Sequence, residues 1–171
     1  MELELLGWPP DGPTLRLDHR RFSYAGKFVM SATGKAVARE DGELLGAVAF
    51  NEDRTDASAL WLRYVTVRAD RRGEGIGPRL LAFVRDRARD RGYERVRIAV
   101  NNPFAYEACY RAGFGYTGRR TGLAELVLEH PDERSPERYR EGIDEFRERD
   151  LSADEEAFLD RKRDADPPGP G

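Results

Sequence analysis

Polar and apolar residues alternate over Thr14–Asp18 (TLRLD), and this period of two predicts a short strand; Ala36–Arg39 and Leu44–Phe50 are two further apolar segments. The last two flank Asp41-Gly42, a turn pair, so they read as an antiparallel hairpin. Between them and Thr14–Asp18, SYAG reads as a turn and KFVM as another short strand, while residues 1–13, with their prolines and glycines, read as a loop or weak arm. Asn51–Ser58 is polar and reads as a loop. Leu60–Val67 (LWLRYVTV) is rich in aromatic and β-branched residues and carries the strongest strand signal of the chain. After RADRRGEGIGP the period changes. Ile76, Leu80, Val84 and Ala88 recur at helical spacing, with Leu81 widening the stripe, which predicts a helix from about Ile76 to Arg91 capped by Gly92. Arg95–Val100 returns to alternation. Strand, glycine-rich turn, helix and strand make a βαβ unit, hence two parallel strands with a right-handed crossover.

Asn102 then reads as an N-cap and Pro103 as the first residue of a helix that runs to about Ala112 and stops at Gly113. Tyr116–Arg120 and Ala124–Glu129 form a predicted hairpin around Thr121-Gly122. Past Pro131 the composition becomes highly charged. Ser135-Pro136 opens one helix with Tyr139, Ile143 and Phe146 on one face, and Ser152…Glu155 matches a capping box that opens another. The final DADPPGPG is expected to be disordered. The organisation expected is an α/β domain over residues 1–130 and a charged helical extension over residues 131–171.

Composition narrows the function. The 171 residues suit one core, and a net charge of −3 argues against a chain built to wrap nucleic acid. One cysteine permits no intrachain disulfide, which fits a reducing compartment. No apolar run approaches the ~20 residues that span a bilayer, and MELELLGWPPDG lacks the basic flank of a signal peptide. A cytoplasmic protein with no membrane partner and no metal site is expected.

The chemistry concentrates in Arg72-Gly73-Glu74-Gly75-Ile76-Gly77, between a strand and a helix. Glycine lets the backbone approach a ligand and adopt positive φ. The first amides of the following helix lack internal partners and sit in the positive end of its dipole, so together they suit a phosphate. Arg71, Arg72 and Arg79 add charge. An ATP-type loop needs GxxxxGK[ST], and no lysine or hydroxyl follows here. A dinucleotide loop needs GxGxxG, and its third glycine would fall on Pro78 or Leu80.

Arg72-x-x-Gly75-x-Gly77 after VTVRAD resembles the acetyl-CoA pyrophosphate loop, [QR]xxGx[GA], of the GNAT acetyltransferase superfamily. Downstream, Asn102, Ala105, Gly113 and Phe114 match the family's NxxAxxLYxxxGF in register. The resemblance covers roughly residues 36–128. It implies a mixed, mostly antiparallel α/β sheet with a central parallel βαβ unit, from which this chain is expected to depart by a shortened N-terminal helical region and an added C-terminal helical extension. It implies acetyl-CoA as co-substrate. Backbone groups of Val65 and Val67 would pair with the pantetheine arm, amides of Arg72, Gly73, Glu74, Gly75, Ile76, Gly77 and Pro78 would hold the pyrophosphate, and Asn102 and Cys109 would lie on the pantetheine side. Asn102 is equally a plain N-cap; the two roles are compatible.

The family commonly protonates the departing CoA thiolate with the tyrosine of LYxxxGF. Here that slot holds Cys109, and the tyrosine comes one residue later, about 100° round the helix. Three arrangements stay open: Tyr110 reaches the sulfur, Tyr106 reaches it from one turn earlier, or solvent protonates it. Cys109 reads more readily as a small buried residue than as a nucleophile. No general base stands out; Glu52, Asp53 and Glu125 are the nearest carboxylates by topology, and His19 and His130 read as exposed. Only about 17 residues separate Asp18 from Ala36, so the acceptor cleft is expected to be open, or completed by the C-terminal helices or by a second subunit as a homodimer. The leading reading is acetyl transfer from acetyl-CoA to a small-molecule or peptide amine by direct attack in a ternary complex. The alternatives are a non-catalytic acyl-CoA-binding or sensing module, and an interaction protein that docks a partner through 131–163.

Overall fold

The computed structural model describes residues 1–9 and 12–169. Among them are seven strands and four α-helices in a mixed, mostly antiparallel α/β fold, the class expected. The chain divides into two compact units, residues 1–96 and 97–171.

In the first unit, β1 (Glu2–Gly7), β2 (Gly34–Glu40), β3 (Glu43–Glu52) and β4 (Ala59–Val67) pair antiparallel in chain order. Period-two alternation gives the sheet two apolar faces. Val37, Ala47 and Ala49 pack on one with Phe28, Leu15, Leu17 and Tyr64. Ala38, Leu45 and Ile76 pack on the other with Leu3 and Val67. That second face is covered by α1 (Ile76–Asp90), whose Ile76, Leu80, Leu81, Val84 and Ala88 are buried as the helical spacing predicts. β5 (Arg95–Val100) follows, completing the expected strand, helix and strand in chain order.

Two strand expectations fail. ELELLG, expected within an arm, is β1: Glu2 and Glu4 are exposed, Leu3 is half-buried, and Leu3 pairs with Ala38 of β2. Thr14–Asp18 is not a strand. Leu15 and Leu17 do reach the core, but the segment pairs with no strand among the described residues; the Leu15 N–H bonds the Phe28 carbonyl at 2.9 Å. KFVM is likewise no strand, and lies mostly within a 3-10 helix, Ala25–Val29, that drives Phe28 into the core. Among the described residues it is the only helical turn between β1 and β2, so the N-terminal helical region is shortened as expected.

The second unit holds α2 (Pro103–Arg111), the antiparallel pair β6 (Gly115–Arg120) and β7 (Leu126–His130), α3 (Pro136–Arg147) and α4 (Ala153–Arg161). Tyr139, Ile143 and Phe146 are buried on α3, which packs against β6, while α4 packs against α2. Ser152 and Glu155 form the reciprocal capping box. Of the final segment DADPPGPG, positions 170 and 171 lie outside the described residues; within the rest, Arg140 bonds the Ala165 carbonyl and Asp166, and Arg134 bonds the Pro168 carbonyl at 2.6 Å. No helix among the described residues is long and apolar enough to cross a membrane.

Candidate functional site

The glycine-rich turn leaves β4 just past a bulge. Ala49 stands opposite Tyr64 and Phe50 opposite Leu62, so Arg63 is the extra residue. Its Nε donates to Asn51 Oδ1 at 2.7 Å. Val65 and Val67 follow, opposite Val48 and Gly46. Arg68, 7% exposed, then fixes the exit of the strand by donating to Asp70 at 2.6 Å and to Glu43 at 3.2 Å. Arg71 braces the loop itself, with Nε 2.9 Å from Glu74 and Nη1 3.2 Å from Glu40. The hydrogen bond from Arg71 holds the Glu40 carboxyl below its ordinary range, and that from Arg68 does the same for Asp70. These two arginines are therefore scaffold. Arg72 and Arg79 are exposed and pair with no carboxylate among the described residues; Arg72 donates to Ser23 Oγ at 3.2 Å.

Gly73 and Gly75 have φ of 83° and 81°, and a Cβ on either would meet nothing within 4 Å. Gly75 is the N-cap of α1, provides no side-chain cap, and the first turn carries no acidic residue. The N–H groups of Ile76 and Gly77 are thus in a turn where helix geometry supplies no partner. Pro78 has no N–H, so the expected row of amide donors ends at Gly77. Open space, uncapped donors, the dipole of α1 and two arginines without a carboxylate partner among the described residues fit a diphosphate. No group of acidic, histidine or cysteine side chains able to hold a metal occurs among the described residues.

The helix carrying the tyrosines is built as its signals predict. Asn102 Oδ1 accepts from the Ala105 N–H at 2.9 Å, Pro103 occupies the first turn, and Gly113 (φ 95°) ends it, with the Phe114 N–H bonded to the Cys109 carbonyl at 3.0 Å. Tyr106 and Tyr110 are both 0% exposed. Tyr106 donates its hydroxyl hydrogen to the Tyr139 carbonyl at 2.9 Å, and the Tyr110 oxygen accepts from the Tyr116 N–H at 2.9 Å. Their rings, 5.1 Å apart, form an aromatic cluster with Tyr139, so both belong to the packing of α2 against α3. Burial raises the pKa of both phenols.

Cys109, expected on the cofactor side, is 1% exposed, and burial pushes its thiol up to about 12. At pH 8 only roughly one molecule in ten thousand would carry the thiolate nucleophile. Cys109→Ala is expected to retain acetyl transfer within about threefold, because no thiolate is lost, while lowering stability by about 1 kcal/mol through lost packing; steady-state thiol release and a thermal melt check both.

Of the carboxylates nearest in topology, Asp53 organises its own loop, accepting from the Thr55 and Asp56 N–H groups and from Trp61 Nε1. Glu52 accepts from the Tyr93 hydroxyl at 3.1 Å, and Glu125 from Thr121 Oγ1 at 3.2 Å. Two features escape a reading along the chain. Glu107, 4% exposed, accepts from the Tyr139 hydroxyl at 2.7 Å and pairs with Lys162 at 2.9 Å. The segment around Ser23 is tied to the loop, by Arg72 and by the Ala69 N–H to the Arg21 carbonyl at 2.8 Å. Nothing local marks either, since both depend on partners at least 32 residues away.

Comparison with known proteins bears on the family and the fold. Residues 2–116 match the model of the Acetyltransferase (GNAT) family. Among solved structures, a nourseothricin acetyltransferase is 27% identical, with a TM-score of 0.50 over 57% of this chain and 64% of its own. The match thus spans less than two thirds of that relative. An IAA acetyltransferase from Bacillus cereus shares the fold at 15% identity, with a TM-score of 0.55 over 75% of this chain and 97% of its own. An acetyltransferase from Salmonella typhimurium, solved with its cofactor acetyl-CoA, does so at 20% identity, with a TM-score of 0.52 over 60% of this chain and 67% of its own. No curated protein sequence matches.

Proposed function

Because the chain belongs to the GNAT acetyltransferase family, whose model spans most of its length, we propose that it transfers the acetyl group of acetyl-CoA to a small-molecule or peptide amine. Acetyl-CoA, the family's co-substrate, supplies an activated thioester carbonyl. The observation that carries the reading is the uncapped start of α1 at Gly75, open to a diphosphate and flanked by Arg72 and Arg79. In this reading the Arg72–Gly77 backbone holds the pyrophosphate, the Val65 and Val67 backbone pairs with the pantetheine arm, and Asn102 lies on the pantetheine side.

Transfer proceeds by direct attack of the acceptor amine in a ternary complex. An amine with a pKa of about 10.4 gives up roughly 4.6 kcal/mol at neutral pH to expose its lone pair. With Glu52, Asp53 and Glu125 engaged in loop and strand contacts, water takes that proton. Solvent likewise protonates the CoA thiolate. Support for this third arrangement comes from the hydroxyls of Tyr106 and Tyr110, which are buried and bonded within the protein.

Tyr110→Phe and Tyr106→Phe are each expected to keep kcat within about threefold, whereas loss of a general acid costs about 100-fold or more. Tyr110→Phe leaves the Tyr116 N–H buried without its acceptor and costs stability, about 1–3 kcal/mol. Single-turnover rates and melts on the same samples separate the two effects; a hundredfold rate loss in either variant would restore that tyrosine as the acid.

The direct test of the whole reading is calorimetric titration with acetyl-CoA, followed by thiol release with a panel of amines. Nourseothricin heads the panel because of the resemblance at 27% identity. Binding without turnover of any amine would favour an acyl-CoA-binding module, a reading that the engaged tyrosines also suit.

A further inference from the structure

Three lysines occur in the chain, and two are committed. The Lys35 ammonium is 0% exposed and enclosed by the Met30 carbonyl at 2.6 Å, the Thr33 carbonyl at 2.9 Å and Thr33 Oγ1 at 3.0 Å. Lys162 pairs with Glu107. Lys27 is exposed and makes no ion pair among the described residues. Its Nζ lies 5.7 Å from the centre of the Tyr64 ring, a cation–π arrangement.

The surroundings hold it there. Lys27 stands on the 3-10 helix whose Phe28 is locked into the sheet face opposite α1. Tyr24, preceding that helix with a left-handed φ of 60°, places its ring 6.0 Å from Tyr64. Arg72 to Ser23 and the Ala69 N–H to the Arg21 carbonyl tie the same segment to the loop. Tyr64 is the residue between the Arg63 bulge and Val65, the start of the backbone assigned above to the pantetheine arm. A primary amine thus stands beside Tyr64 of the strand along which the thioester would lie, on the sheet face opposite α1.

We propose that Lys27 is an internal acetyl acceptor, modified in cis by this protein's own acetyl-CoA. The inference rests on the acetyl-CoA reading. Lys27 Nζ, after giving a proton to water, attacks the acetyl carbonyl carbon. The N–C bond forms, the C–S bond breaks, and CoA leaves as a thiolate that takes a proton from water. The product is Nε-acetyl-lysine with its positive charge gone, which also ends the cation–π contact with Tyr64.

The test incubates the full chain with acetyl-CoA and no added amine, and follows intact mass and peptide maps. One acetyl group per chain is expected, located at Lys27, with a first-order rate independent of protein concentration. Lys27→Arg is expected to gain none. The rate should be at least about tenfold above that at Lys35 or Lys162, since proximity acts only at Lys27, and should fall in Gly75→Asp. An unmodified Lys27 in a chain that binds acetyl-CoA and turns over an added amine would overturn the inference alone. So would equal acetylation of wild type and Lys27→Arg, or equal rates in wild type and Gly75→Asp. A chain that binds no acetyl-CoA overturns both this and the function beneath it.

Discussion

Replacing Gly75 with aspartate is expected to weaken acetyl-CoA binding about a hundredfold, or ~2.7 kcal/mol. The position is open, since a Cβ there meets nothing within 4 Å, and aspartate tolerates the left-handed φ of 81° better than most residues. The fold should therefore lose no more than about 1 kcal/mol. What changes is charge. A carboxylate roughly 6 Å from one phosphate charge, at an effective dielectric constant of about 20, repels it by ~2.8 kcal/mol. Gly75→Asn has nearly the same shape without the charge and should lose only about fivefold, mostly to strain. Calorimetry on both variants, with melts as a control for folding, measures the difference. If the aspartate variant bound acetyl-CoA like wild type, the start of α1 would not be the pyrophosphate site.

Replacing Tyr139 with alanine is expected to destabilise the protein by about 3–5 kcal/mol. The side chain is 0% exposed, stacks on Tyr106 with ring centres 5.7 Å apart and meets Tyr110 edge-on at 4.7 Å. Its hydroxyl donates to Glu107, a buried carboxylate that would keep Lys162 alone. For a chain of this length the loss corresponds to roughly 10–15 °C in Tm. Tyr139→Phe keeps the ring and loses only the hydrogen bond to the carboxylate, about 1.5–3 kcal/mol. Scanning calorimetry should rank wild type, phenylalanine and alanine in that order. A Tm for the alanine variant within about 2 °C of wild type would mean that α3 contributes little to the stability of the fold.

The contrast between these residues shows what could be read along the chain. The Gly75 loop was legible because its properties are local: strand period before it, helical period after it, glycines between, and no residue able to cap α1. The α2 boundaries were legible for the same reason, since Asn102, Pro103 and Gly113 act within one turn of themselves. β1 was not. ELELLG and TLRLD alternate alike, and what separates them is that the first pairs with β2, about 30 residues on, while the second pairs with no strand among the described residues. The KFVM segment failed similarly, because burial of Phe28 on the sheet outweighed its apolar run. The shared reason is that strand pairing is settled between distant segments, which local propensity does not record.

The tyrosines lie on the same divide. The sequence by itself determined the family loop, the α2 register and the replacement of the expected tyrosine by Cys109, because each follows from residue identity and spacing. Where the Tyr106 and Tyr110 hydroxyls find their hydrogen-bond partners was decided only by the tertiary structure. Their partners are the Tyr139 carbonyl, 33 residues away, and the Tyr116 N–H across the turn after α2. A hydroxyl buried in a core must find a partner wherever packing brings one, and packing is a property of the whole fold.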